Sequence, residues 1–473
     1  ANPLSSAARS PPCWVTASQT DREEQAPTEE MLSPKAPRLA LAMAVCLAAA
    51  PSALAFNPSI SALPGASLRA KGAFPLSLRP SLGRPLAPPR VANRQANTIV
   101  CSTAEKVDWS SRLLKESNDN NVTPYIANLV GRDLHLIKAH PLNIIKTKIE
   151  QYFKSRDASF EAKDSLDPIV TPTQCFDDLL IPENHQSRRF SDTYYISKEQ
   201  LLRTHTSAHQ TELLRGGSKK FLCTGDVYRR DEIDSSHYPA FHQMEGVKIL
   251  DECEGMENRE EWEKMCVEDL KSYLEGMIDA IFGPVEKRWV EAYFPFTDPS
   301  LELEIFFNDD WLEVLGCGVI QQPILDKCGM GNSHGWAFGL GLERLAMVLF
   351  DIPDIRLFWT EDSRFLKQFK DGQITKFKPY SKYPPCYKDI AFWLPGEGWE
   401  ENNFAELVRN IAGDIVESVS LIDKFDNPKK GKTSHCYRIN YRAMDRSLTN
   451  EEVDELQEQV RNQSAEKLKV ELR

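Results

Sequence analysis

No C-x-x-C pair occurs among the eleven cysteines, and their spacing follows no pattern. That excludes a zinc site or a disulfide framework readable from sequence, and it suits a reducing compartment where most thiols are small buried side chains. Past the first hundred residues the chain lacks any apolar run long enough to span a bilayer, so no stable membrane association is expected of the processed protein. It also lacks positive charge in bulk, with a net charge of −12. A nucleic-acid partner would therefore have to be held by a local basic surface, because phosphate neutralisation supplies most non-specific affinity. What is present is ordinary for a globular protein, 41% apolar and 27% charged over a length that allows two to three domains.

One further absence is local. Between Phe56 and Ala104 there is no acidic residue, but there are six basic ones in a setting rich in Ser, Ala and Pro, the composition of an organellar transit peptide. Just before it, Met31 is followed by Lys35 and Arg38, an apolar run over 39–50, and Ala53-Leu54-Ala55, a small-x-small cleavage signature. Residues 1–101 thus read as a disordered targeting leader, signal-like over about 31–55 and transit-like over 56–101. The tandem arrangement resembles the bipartite leader of proteins sent to complex plastids. It implies the plastid stroma, with the mitochondrial matrix as a second destination.

Residues 227–246, VYRRDEIDSSHYPAFHQMEG, concentrate arginines, carboxylates and histidines without helical apolar spacing. They read as two short strands joined by a polar loop over 231–239, an arrangement suited to surrounding something highly charged. Tyr228-Arg229-Arg230-Asp231 and Phe241-His242-Gln243-Met244-Glu245-Gly246 resemble motif 2 of class II aminoacyl-tRNA synthetases in the phenylalanyl form, with Asp231 one methylene shorter than the usual Glu. Gly339-Leu340-Gly341-Leu342-Glu343-Arg344, entering an apolar helix, resembles motif 3. The stretches 203–210 (RTHTSAHQ), 293–297 (YFPFT) and 311–318 (WLEVLGCG) match the same family. The resemblance covers roughly 127–473.

That family implies an α+β fold. An antiparallel class II sheet flanked by helices is followed by a ferredoxin-like anticodon-binding domain, with boundaries expected at 102–135 for a lead-in, 136–355 for the catalytic domain, 356–376 for a linker and 377–473 for the last domain. The C-terminal order of strand, helix, strand, strand, helix, strand supports this. Its first helix is expected over 404–419. Its second opens with Thr449 and Glu452, the S/T-x-x-E signature of a capping box, and buries Val453, Leu456 and Val460. Catalytic and anticodon parts in one chain imply a monomer, and no segment is left over for an editing domain.

The chemistry so implied joins L-phenylalanine to tRNA(Phe) through an adenylate made from ATP. The attacking carboxylate is already ionised, so the site needs positioning and charge neutralisation rather than a general base. Arginine suits this work because its planar fork binds phosphate and keeps its charge. The family match assigns Arg229 and Arg344 as catalytic residues on the ATP phosphates. It assigns Asp231, Ser236, His237, Tyr238, Phe241, Glu313 and Phe338 to ATP, Glu313 also to Mg²⁺. The amino acid falls to His205, Ser207, Ala208, His209, Gln210, Gln243, Glu245, Phe294, Phe296 and Ala337, the two Phe rings suiting an aromatic ligand. Lys424, Lys429, Lys430, Lys432, Arg438, Arg442 and Arg446 form the expected tRNA contact face. A non-catalytic RNA-binding paralogue is the alternative; the presence of Arg229 and Arg344 argues against it.

Overall fold

A computed structural model describes residues 107–250, 258–379, 383–429 and 431–473. The leader over 1–101, the Tyr380-Ser381-Lys382 stretch and Lys430 lie outside the described residues. Thirteen strands are described: β1 (Glu161–Lys163), β2 (Ile169–Val170), β3 (Leu201–Leu202), β4 (Lys220–Tyr228), β5 (Ala240–Leu250), β6 (Lys287–Phe294), β7 (Thr297–Phe307), β8 (Asp310–Ile320), β9 (His334–Gly341), β10 (Cys386–Trp393), β11 (Val416–Asn427), β12 (Lys432–Tyr441) and β13 (Glu471–Leu472). The longer helices are α1 (Pro141–Arg156), α2 (Arg259–Phe282), α3 (Leu342–Phe350), α4 (Glu401–Ala412) and α5 (Asn450–Lys467). No helix among the described residues is long and apolar enough to cross a membrane.

The large sheet runs β1-β4-β5-β9-β8-β7-β6. Its ladders are antiparallel except at one edge, where β1 pairs with β4 in parallel. The expected class II antiparallel sheet flanked by helices is present, and the three residues of β1 add a short parallel edge to it. α1 starts where His140 accepts from the Leu142 N–H and Pro141 occupies the first turn, a position that needs no donor. Its stripe of Leu142, Ile145, Ile149 and Phe153 is fully buried, and Phe153 stacks on Phe338 of β9 at 5.5 Å. A second apolar cluster, around Phe176, Val247, Phe294 and Ile324, is built on other residues of the same sheet.

The stretch 356–376, expected as a linker, packs against the catalytic part. Phe358, Trp359, Phe365 and Phe369 join the same core as α1 and α3, because aromatic residues at this density cannot stay in water. The lead-in is likewise anchored there by Leu113, Val122, Ile126 and Leu134.

In the C-terminal part the sheet order is β11-β12-β10-β13, with α4 and α5 as the two helices. α4 is shorter than expected. It stops at Ala412, Gly413 takes a left-handed φ of +54°, and Val419 reaches the same core from strand β11. Only half of the expected capping box forms: Thr449 accepts from the Glu452 N–H at 3.2 Å, but the Glu452 carboxylate takes the Arg446 guanidinium.

The residues from Asp108 onward cluster as one compact unit, and polar bonds tie its two parts. Tyr194 donates to Glu406 at 2.8 Å; Arg409 pairs with Glu406 at 2.6 Å and donates to the Asp231 carbonyl at 2.7 Å. Arg356 donates to the Asp414 carbonyl at 2.7 Å. Glu406 and Arg409 are both buried, and removing one member of such a pair strands the other charge. Glu406→Ala is expected to weaken docking of the C-terminal part by about 3–5 kcal/mol. The readouts are an early transition in urea unfolding and faster proteolysis near residues 370–385; unfolding superimposable on the parent would refute it.

Candidate active site

Strand alternation sets the site. Along β5, Phe241, Gln243 and Glu245 point to one face, and Met244 between them enters the helical core. β5 pairs with β9, placing Gln243 opposite Gly341 and Glu245 opposite Gly339, while β8 and β9 set Gly316 opposite Gly339. Two cavities lie on this face. Both are lined by Gly316 and Gly339, which offer backbone and no side chain to either.

The first is a cleft of about 410 Å³ between Arg229, Phe241, Gln243, Glu313 and Arg344. Arg229 follows the end of β4. Its Nε donates to the Thr204 carbonyl at 2.8 Å, and its guanidinium lies over the Phe241 ring at 5.1 Å. Arg344 is buried at the start of α3, with Nη1 3.6 Å from a Glu313 carboxylate oxygen. Two guanidinium groups beside an aromatic face make a site for an anion attached to a flat ring.

The second, of about 250 Å³, is lined by Ser207, Glu245, Phe294, Phe296, Ala337 and Phe338, with Thr297 and Cys317. Phe294 and Phe296 stack at 5.7 Å with their planes 8° apart. Gly316 is required here: a Cβ would stand 2.6 Å from Phe294 Cζ. Glu245 is buried, and one carboxylate oxygen has no hydrogen-bond partner among the described residues. Desolvation pushes its pKa up to about 8 against a smaller lowering by the Ser207 hydroxyl. His205, near Arg229, is held neutral by burial, its pKa lowered to about 3.

Several expected residues fall elsewhere. Thr206–His209 is a 3₁₀ turn in which successive side chains diverge by a third of a circle, so Ser207 reaches the pocket while its neighbours do not. Ala208 joins the second core, and His209 lies 2.9 Å from Arg203 Nη1. Gln210 begins the next helix, and neither it nor His205 lines either cavity. Gln243 lines the arginine cleft rather than the Phe pocket, and Phe338 the reverse.

The loop after Arg230 departs furthest. Asp234 accepts from the N–H groups of Ser236 and His237 at 2.7 and 2.8 Å and holds the His237 ring at 2.7 Å. This Asx turn folds the loop toward the C-terminal part, with Ile233 in that part's core. Tyr238 donates to Asp414 at 2.8 Å, and Asp231 offers its carbonyl to Arg409. Asp231, Ser236, His237 and Tyr238 therefore do not line the arginine cleft. An Asp-x-Ser turn was legible; its distant partner was not.

Sequence reasoning missed Thr297, Gly316, Cys317 and Gly339 as lining, and Glu302 altogether. Burial, then the Glu313 charge, lift the Glu302 carboxyl to about 8. Among the described residues no group of three or more His, Cys, Asp or Glu could hold a metal ion. The expected RNA face is less basic than its residue list. Arg438 is bidentate on Asp389 at 2.8 and 2.9 Å, Arg442 pairs with Glu417 at 2.6 Å, Lys432 pairs with Glu471 and Arg446 with Glu452. Lys424 lies on β11 and Lys429 in the turn after it.

A mixed sheet with an arginine just past the end of its first long strand, and another on a helix entered from a Gly-x-Gly strand, defines a class II tRNA synthetase. Residues 125–369 match the class II core domain (F) of tRNA synthetases, and residues 381–473 match the ferredoxin-fold anticodon binding domain. The chain is 58% identical over 356 residues to the chloroplastic/mitochondrial phenylalanine–tRNA ligase of Arabidopsis thaliana, covering 75% of this chain and 83% of that one. It is 47% identical over 428 residues to the mitochondrial phenylalanine–tRNA ligase of Dictyostelium discoideum, 79% of this chain and 94% of that one. The phenylalanine–tRNA ligase alpha subunit of Coxiella burnetii matches at 34% over 310 residues, 64% and 87% of the two chains. The chain belongs to the phenylalanine–tRNA ligase family.

Proposed function

We propose that this chain activates L-phenylalanine with ATP and transfers it from the adenylate to tRNA(Phe) in an organelle. The observation carrying the reading is that a pocket lined by Phe294, Phe296 and Ala337 and a cleft holding two arginines adjoin on one sheet face, with Gly316 and Gly339 lining both. An amino acid held by its ring between Phe294, Phe296 and Ala337, and by its ammonium on Glu245 and Ser207, presents its carboxylate toward the cleft. There Arg229 bridges carboxylate and α-phosphate, Phe241 faces adenine, and Arg344 takes the γ-phosphate. Attack on the α-phosphorus expels pyrophosphate, and the arginines offset the charge that builds. Magnesium in nucleotide sites uses one or two carboxylates plus phosphates, so Glu313 on the cleft wall fits as its protein ligand and the ion would screen phosphate charge.

The deciding experiment is ATP–pyrophosphate exchange with all twenty amino acids offered in parallel. Exchange with phenylalanine and little with the rest is expected. Folded protein that binds tRNA without exchange would favour the non-catalytic paralogue.

An apolar pocket rejects an added hydroxyl by only about a hundredfold. Tyrosyl-tRNA(Phe) is therefore expected at saturating tyrosine, and its absence under conditions of full phenylalanylation would refute this. Lys429→Ala with Lys430→Ala is expected to weaken transfer about tenfold and leave exchange unchanged, in keeping with loss of phosphate contacts alone. Equal loss in both assays would remove that face. The apolar side of α1 is buried within its own chain, which supports a monomer. The leader's composition supports the plastid stroma.

A further inference from the structure

The start of α3 is fixed from behind the nucleotide cleft. His242 lies between Phe241 and Gln243 on β5 but is fully buried on the opposite face, its ring 5.5 Å from Trp359 and 5.1 Å from His135. Glu343, in the first turn of α3, takes two hydrogen bonds from this one residue. The His242 backbone N–H donates to one carboxylate oxygen at 2.8 Å, and Nδ1 meets the other at 2.7 Å. A carboxylate gripped at both oxygens fixes its own helix in position and in rotation. The two partners are the chain neighbours of Phe241 and Arg344, so one contact ties both walls of the cleft.

The rest of that turn is weakly held. Gly341 at the N-cap offers no side-chain cap to the first N–H groups of α3. Arg344 has Nη1 3.6 Å from Glu313, and its buried Nε has no partner among the described residues. A guanidinium with so few contacts of its own takes its aim from the backbone beneath it.

We propose that Glu343 and His242 are a positioning pair that aims Arg344 at the nucleotide phosphates. The inference rests on the nucleotide reading of the cleft. Displacements of about an ångström in such groups cost up to a hundredfold in rate. The phenylalanine pocket depends on β5, β8 and β9 rather than on α3, so its affinity should be spared.

The test compares KM for ATP and KM for phenylalanine in pyrophosphate exchange, with ATP binding to the full chain measured by calorimetry in the presence of magnesium. Glu343→Ala is expected to raise KM for ATP about ten- to a hundredfold and leave KM for phenylalanine within twofold. Should that variant fail to fold, Glu343→Gln keeps the volume and one acceptor and is expected to show the same split, about fivefold. His242→Asn, whose amide N–H stands near the place of Nδ1–H, is expected to restore most of what His242→Ala loses. In an Arg344→Ala background, Glu343→Gln should add less than twofold to the loss of ATP affinity, the signature of a residue acting through another. Both KM values rising together, a lowered melting point with KM for ATP unchanged, or full additivity with Arg344→Ala would each overturn the pair's role. If Arg344→Ala itself left ATP affinity intact, the nucleotide reading would fall and the proposal with it; loss on Arg344→Ala without loss in the Glu343 variants sinks the proposal alone.

Discussion

Arg229→Ala is expected to lower phenylalanine-dependent pyrophosphate exchange by about a thousandfold or more, since losing a single transition-state donor costs a hundred- to a thousandfold and this group serves two anions. Its position gives the reason. The side chain is tethered by Nε to the Thr204 carbonyl at 2.8 Å and lines the cleft. On the proposed reading its guanidinium holds the carboxylate and the α-phosphate at attacking distance, while Arg344, the other guanidinium of the cleft, serves the γ-phosphate. Lysine cannot substitute, because a point charge binds one anion where a planar fork binds two in fixed geometry. Arg229→Lys should therefore lose nearly as much. The fold should be indifferent, since Arg229 sits on the cleft wall and outside the apolar clusters. A parent-like melting curve with less than one hundredth of the exchange is the outcome to look for; retention of a tenth or more would remove Arg229 from the reaction.

Glu245→Gln is expected to weaken phenylalanine binding by about 3–5 kcal/mol, roughly a hundred- to several-thousandfold, by stranding the substrate ammonium in a buried pocket. The pH dependence separates this from a packing effect. With its pKa raised to about 8 by burial, Glu245 is protonated in the free enzyme at pH 7. A bound ammonium favours the carboxylate, so binding releases a proton below pH 8. Affinity then climbs as pH rises toward 8, by up to tenfold per unit, and falls again once the substrate's own amino group deprotonates. His205 does not contribute in this window, its pKa being near 3. Calorimetry at pH 7 in two buffers of different ionisation enthalpy should report close to one proton released, and none in the Gln variant. Binding that is flat between pH 6 and 8 would show that Glu245 does not meet the ammonium.

How much of this was legible follows the kind of backbone involved. Arg229, Phe241, Gln243 and Glu245 occupy β5 or the end of its partner strand, where side-chain direction follows from counting, and the structure gathers them with Glu313 and Arg344 on one face. Ala208 and His209 sit in a single 3₁₀ turn, and no two-residue alternation says which of three neighbours faces inward. Asp231, Ser236, His237 and Tyr238 lie off the cleft for another reason. Their partners, Arg409 and Asp414, are far away in sequence, and a polar loop gives no sign of which polar surface it will choose. The α4 boundary was misplaced because Ile415 and Val419 keep helical spacing while belonging to a turn and a strand of the same core. Thr297 and Cys317 became visible only once β7, β8 and β9 were set side by side.

The glycines at 316 and 339 carry a consequence for inhibition. Because they line both cavities, a compound with a benzyl group at one end and a phosphate mimic at the other is the design the site suggests. Such a compound would compete with amino acid and nucleotide alike, and a larger residue at 316 would press on the Phe294 ring that the amino acid itself needs, its Cβ standing 2.6 Å from Cζ.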